Sequence, residues 1–190
     1  CLTAPQASAD GLVFRPVSYK GSLNERSQEA IIIFHSGDKP GEATQDLILK
    51  ISVQGDVDQF GWVVPLPSVP QTGKEEVRLF EELHKYVQAR LAAGSAKPKG
   101  DKKENSSAEA ERAFAEGVEV ISRKMVGNFE VWIVKEKRAG SLNPWLRDKK
   151  YQPVAGGDKV IEWYRKKEYV FACMRVSDAA LSKDRAVDLH

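Results

Sequence analysis

The run Phe129-Glu130-Val131-Trp132-Ile133-Val134 constrains the fold more than any other part of the chain. Successive side chains of a strand point to opposite faces. Phe129, Val131 and Ile133 therefore share one face while Trp132 and Val134 occupy the other, so both faces need cover and the strand belongs in the interior of a sheet. A layer on each side of a sheet requires a sizeable core, and 190 residues are enough to build one.

The remaining elements indicate what the layers are. Glu29-Ala30-Ile31-Ile32-Ile33-Phe34-His35 is a β-branched run ended by Ser36-Gly37-Asp38. Leu47, Leu49, Ile51 and Val53 alternate with Ile48, Lys50 and Ser52, the pattern of a strand with one buried face. After the loop Gly55-Asp56-Val57-Asp58, Phe60-Gly61-Trp62-Val63-Val64 returns as a third strand, which Pro65, Pro67 and Pro70 should stop because proline cannot donate to a ladder. These three strands are expected to form a meander. Thr72-Gly73-Lys74-Glu75 has the capping-box form and predicts a helix start, with Val77, Phe80, Leu83, Val87 and Leu91 on one stripe. Ser106 to Glu109 repeats the box and predicts a short helix through Phe114, ended by Gly117. Val118 opens a strand that turns at Gly127-Asn128 into the run described above. Asn143-Pro144 reads as an N-cap with proline at the first helical position, anchored by Trp145-Leu146. Gly156-Gly157-Asp158 precedes a helix whose apolar side is Val160, Ile161, Trp163 and Tyr164, and Tyr169 to Val176 is the last strand. Hairpins and helices without regular βαβ alternation define an α+β class with a mixed, mainly antiparallel sheet, and the echo of residues 60–64 in 129–134 suggests two ββα-type halves.

The two ends bear on location. Ala7-Ser8-Ala9, preceded by Pro5, has the form a signal peptidase reads, so residues 1–9 are expected to be a signal-peptide remnant and Asp10 the mature start. The rival reading makes Cys1 an acylated lipoprotein cysteine on a small-residue tether. Both place the protein outside the cytoplasm, in the periplasm or at the cell envelope. Residues 10–190 then form a single α+β domain, with a flexible charged insertion at 94–105 that has no large apolar residue to bury. The polar stretch from Ser177 to His190 has no closing element, and a truncated chain is expected there. Cys173 has only Cys1 as a disulfide partner and sits in an apolar strand, where a buried inert thiol is expected.

Composition excludes several functions. Lys and Arg number 29 against 27 Asp and Glu, a net charge of +2, too slight for phosphate-backbone binding, so nucleic acid is not an expected partner. No apolar run approaches the ~20 residues of a transmembrane helix.

Several pieces in fixed order carry a family resemblance: Ala9-Asp10-Gly11-Leu12-Val13, Gln28-Glu29-Ala30-Ile31-Ile32, Leu47-Ile48-Leu49, then Phe60 through Pro70 with Leu79-Phe80-Glu81-Glu82-Leu83. Val126-Gly127-Asn128-Phe129-Glu130-Val131, Leu142, Trp145-Leu146, Tyr151 and Val170-Phe171-Ala172 before Met174 complete the set. In these the chain resembles the bacterial domain-of-unknown-function family DUF2330. The resemblance implies an exported protein and supplies no catalytic residues. Lys149-Lys150 departs from the family pattern, in which a glycine often precedes the tyrosine and ends the short helix.

A search for chemistry finds no site. His35, His84 and His190 lie far apart without metal-ligand spacing, and Asp56-Val57-Asp58 lacks the other ligands of a calcium loop. Gly156-Gly157 lacks both phosphate-binding fingerprints, and no Gly-x-Ser-x-Gly elbow occurs. No cofactor is expected. Trp62, Pro65, Pro67, Pro70, Trp145, Tyr151 and Trp163 remain, either as core where strands and helices meet or, for the first six, as a binding surface stiffened by prolines. The expected function is a non-catalytic, exported binding or envelope-interaction module whose partner is an envelope protein or small ligand. The alternative is a hydrolase with a site near the Trp62–Pro70 segment. Clustered acids, or an acid beside a histidine, would favour the enzyme, and an exposed aromatic patch would favour binding.

Overall fold

The structure, a computed structural model, describes residues 11–20, 24–39, 41–54, 60–76, 78–93, 113–115, 117–153 and 157–176. In chain order its elements are β1 (Leu12–Pro16), β2 (Asn24–His35), β3 (Thr44–Gln54), β4 (Gly61–Leu66), α1 (Arg78–Ala93), β5 (Ala113–Ala115), β6 (Val118–Val126), β7 (Phe129–Glu136), α2 (Leu142–Asp148), β8 (Tyr151–Gln152), α3 (Gly157–Lys166) and β9 (Val170–Val176). The expectations for residues 1–9, the 94–105 insertion, the second capping box at 106–109 and the tail after 176 fall outside the described residues.

The α+β class holds. Seven strands make one sheet in the order β5-β6-β7-β9-β4-β1-β8, every pair antiparallel, and β7 is interior as its two apolar faces require. Trp132 and Val134 face a core that also holds Phe14, Val63, Phe171 and Cys173 from the sheet, Leu142, Trp145 and Leu146 from α2, and Ile161 from α3. Val131 and Ile133 face a second core with Phe60, Trp62, Val64, Val170 and Ala172, closed by Ile51 of β3 and by half-buried Leu49. The sheet is thus covered by helices on one side and by the base of a hairpin on the other.

The meander does not form. β2 and β3 pair only with each other among the described residues, from Asn24 opposite Gln54 to His35 opposite Thr44. Because this hairpin stands outside the large sheet while β6 and β7 lie within it, the two ββα-type halves are not a structural repeat. The buried face of β3 loses its cover toward the turn: Ile51 is buried, Leu47 is exposed, and Ile32, Ile33 and Phe34 on β2 are exposed as well.

Pro65 does not end β4 either. The strand continues to Leu66, with Pro65 opposite Phe171. β1 stops at Leu12 opposite Val63, so beyond that point β9 is the one neighbouring strand among the described residues and proline is tolerated as on an edge.

Three helix boundaries also differ from expectation. Residues 72–76 are irregular and α1 begins at Arg78; the Thr72 carbonyl instead accepts a hydrogen bond from Lys124 Nζ. The α1 stripe is expressed but largely uncovered, with Phe80 half-buried beneath the Lys50 ammonium and Leu83, Val87 and Leu91 exposed. Phe114 lies in β5, not in a helix, and Gly117, with φ of +89°, makes the turn into β6. The N-cap of α2 is Ser141, two residues before Asn143, and its side chain makes no capping bond. Buried Glu136 takes that role by accepting the Leu142 N–H at 2.9 Å. Of the expected apolar side of α3, Ile161 is buried and Tyr164 half-buried, while Val160 and Trp163 are exposed.

The end of α2 bears on the Lys149-Lys150 departure. Lys150 adopts φ of +67° and its N–H bonds to the Arg147 carbonyl at 2.7 Å, so the helix closes in the left-handed conformation that favours glycine. Lys150→Gly is expected to stabilise the protein by about 1 kcal/mol, read as a higher urea midpoint at unchanged slope.

Candidate functional site

The six residues expected to form a binding surface do not share one. Trp62, Trp145 and Tyr151 are buried, Pro65 and Pro70 are half-buried, and Pro67 is exposed. Sequence neighbours alternate between the sheet's faces, so the Trp62 side chain joins the hairpin-side core while Trp145 and Tyr151 join the helix-side core. Residues 61–63 nevertheless help line a narrow cleft with Trp145 and Tyr151, where Tyr151 lies against Gly61 so closely that a Cβ there would sit 3.2 Å from the ring.

Beside this cleft the helix-side face of the sheet turns polar. Continuing the alternation from Trp132 and Cys173 brings Glu130 of β7 and Arg175 of β9 onto the same face, directly paired in the ladder, with Arg123 arriving from β6 opposite Trp132. Glu130 is buried and both its oxygens are taken. Arg123 Nε donates to Oε1 at 2.6 Å, with its Nη2 on the same oxygen, and Arg175 donates from Nε and Nη2 to Oε2, each at 2.6 Å. Both guanidiniums stand over the Trp132 ring, 5.7 Å and 5.3 Å from its centroid, and the Lys149 ammonium lies 5.5 Å from the Trp145 centroid. Trp132 and Trp145 meet edge to face at 6.0 Å, which fixes this aromatic floor. Two guanidiniums thus hold one carboxylate, and the Lys149 ammonium stands over the neighbouring rings. Each guanidinium engages Glu130 along one edge, so its other N–H donors are directed away from that carboxylate.

The sequence marks this cluster only faintly: a glutamate between Phe129 and Val131 near the start of β7, and an arginine just after Met174 near the end of β9. Cys173 lines the same cleft but is buried, and burial pushes its thiol pKa far up, so it has no nucleophilic character there.

A second concavity, of about 130 Å³, lies where β7 ends and α2 and α3 begin. Glu136, Asn143, Asp158 and Glu162 line it, with Ala139, Gly140 and Ile161. Glu162 is hydrogen-bonded to Lys166, which holds its carboxyl below the usual range. The His35–Asp46 pair, 2.8 Å apart, is an exposed contact across the β2–β3 hairpin. No group of three or more His, Cys, Asp or Glu side chains converges as a metal site, and no helix is long and apolar enough to cross a membrane, among the described residues.

Residues 24–188 match the model of a family described as "Uncharacterized protein conserved in bacteria (DUF2330)". No curated protein and no solved structure matches.

Proposed function

The chain belongs to that bacterial family, and from this premise we propose that it is an exported, non-catalytic binding module of the cell envelope, which holds an anionic group, carboxylate or phosphate, on the Arg123–Arg175–Lys149 face. One observation carries the reading: a single buried carboxylate fixes two guanidiniums side by side over a tryptophan floor, with an ammonium beside them. Guanidiniums held in this way lose little further freedom when they bind, and their planar forks match the geometry of carboxylate and phosphate oxygens. The hydrolase alternative draws less support, because the lining of the cleft beside Trp62 carries Lys149 and Arg175 but neither a carboxylate nor a histidine.

Titration of the folded protein with glucuronate and with inorganic phosphate tests the binding face. Arg123→Gln and Lys149→Gln, both at exposed positions, are each expected to lower affinity about tenfold or more, the equivalent of one charge-assisted hydrogen bond, and added salt should weaken wild-type binding. Wild-type protein that binds neither anion, or variants that bind as wild type does, would remove the proposal.

Export rests on the Ala7-Ser8-Ala9 pattern. N-terminal sequencing of protein recovered from its native host is expected to begin at Asp10 or to show an acylated Cys1. An intact leader on a cytosolic protein would sink this part.

A further inference from the structure

From the outer half of the β2–β3 hairpin we infer that the protein associates with a second copy of itself along the free edge of β2, the two strands running antiparallel about a twofold axis at Ile32. One edge of β2 pairs with β3, and no described strand pairs with the other. A two-stranded hairpin is marginal in water unless further strands or another layer join it. Ile51 packs the base of this one on the large sheet, but farther out Ile32 and Phe34 are 62% and 67% exposed and Ile33 is 41% exposed. Natural edges are blunted by lysine, proline or a bulge. Residues 30–34, Ala-Ile-Ile-Ile-Phe, carry none of these, and the one irregularity of the ladder lies back between Glu25 and Ser27.

The occupant follows from the order of residues along that edge, which is complementary to itself. In a twofold antiparallel pair, directly opposite residues lie on one face and at equal distances from the axis. With the axis at Ile32, Ile32 meets its own copy, Ile31 meets Ile33, Ala30 meets Phe34, and Glu29 meets His35. Apolar thus faces apolar, small faces large, and acid faces imidazole. Within each chain Glu29 already pairs with Lys50 at 2.9 Å and His35 with Asp46 at 2.8 Å, so the contact continues an alternation of sign across four strands. Moving the axis by one residue destroys the match: at Ile31 it sets Glu29 against Ile33 and Gln28 against Phe34, and at Ile33 it sets Ile31 against His35. The edge of β3 is the less accessible one, because buried Ile51 and the Lys50 ammonium over Phe80 of α1 hold that strand to the body. Pairing through β2 joins Ile32, Phe34 and Leu47 of both copies into one apolar face. None of these residues belongs to the anion-binding face, so the two proposals are tested separately.

The test is sedimentation of the intact chain from micromolar to sub-millimolar concentration. The mass is expected to rise from one chain to two and to stop there, because a twofold contact closes on itself. Ile32→Lys alters an exposed side chain and brings two ammonium groups face to face, so it should weaken association at least tenfold while Tm stays the same. Oxidative cross-linking in a Cys1→Ser background, where the remaining thiol of Cys173 is buried, reads the register. Ile32→Cys should give a disulfide-linked dimer, since opposed Cβ atoms lie about 5 Å apart. Phe34→Cys should not, because at about 3.4 Å per residue its copies are roughly 14 Å apart, but mixing it with Ala30→Cys should restore the link. A monomer at every concentration, growth beyond two chains, undiminished association of Ile32→Lys, or cross-linking through position 34 in place of 32 would overturn the inference.

Discussion

Trp62→Ala is expected to cost about 3–5 kcal/mol, the range for emptying a large aromatic side chain from a core. Trp62 is 3% exposed and packs in the hairpin-side core with Phe60, Val64, Val131 and Ile51. It stands opposite Met174 on one neighbouring strand and Val13 on the other, so its removal opens a void flanked on both sides by the sheet. Its indole N–H has no hydrogen-bond acceptor, and the space above it is so tight that a Cβ on Gly11 would come within 2.3 Å of Nε1. Two consequences separate packing from polar roles. Trp62→Phe should recover more than half of the loss, since no hydrogen bond is forfeited, whereas Gly11→Ala should be destabilising by crowding the same ring. Urea denaturation with a two-state fit reads all three. A folded Trp62→Ala protein with an unchanged midpoint would show that this residue is not core.

The second large effect is expected at Gly117. Its φ of +89° is a conformation that other residues rarely adopt, and a Cβ there would lie 2.8 Å from that of Ser141. Its carbonyl is also the anchor of the loop from β7 to α2: it accepts the N–H groups of Lys137 and Arg138 at 2.9 and 3.2 Å, and the Ser141 hydroxyl lies 2.6 Å away. Gly117→Ala combines backbone strain with overpacking and should cost about 2–4 kcal/mol. Gly140→Ala is the control, because Gly140 also has positive φ, +77°, but nothing within 4 Å of an added Cβ. It should cost only the strain, about 1 kcal/mol. Equal losses in the two variants would show that the Ser141 contact has no weight.

Patterns confined to one strand were legible in the sequence, and those requiring a partner were not. The two-faced run at 129–134 announced an interior strand because alternation is a local property of the chain. Pro65 was misleading because its tolerance depends on where β1 stops, and β1 lies far away in sequence. The α2 start was misplaced for a similar reason: Asn143-Pro144 looks like a cap, but the free N–H of Leu142 is met by Glu136 from the preceding strand. The Thr72 box was locally plausible, yet the Thr72 carbonyl is engaged by Lys124 of β6. The candidate site was largely hidden, since the proximity of Arg123, Glu130 and Arg175 arises only when β6, β7 and β9 align. Of the aromatic residues singled out from sequence, Trp145 and Tyr151 line the cleft beside those charges, Trp62 packs in the core on the other face of the sheet and Trp163 is exposed.

The place of β9 has a consequence for how the chain reaches this structure. It is the last described strand in sequence and the middle one of the sheet, with β7, β6 and β5 on one side and β4, β1 and β8 on the other. Until it has emerged from the ribosome, the earlier strands have no common neighbour and remain two separate partial sheets with open inner edges. Completion therefore waits for the pairings of Val63 and of Trp132 with Cys173, the first of which closes a very long loop and makes assembly slow. Such a chain stays extensible for most of its synthesis, which keeps it threadable through a narrow pore, and it leaves the inner edges of β4 and β7 exposed to aggregation or to a chaperone until the final strand slots between them.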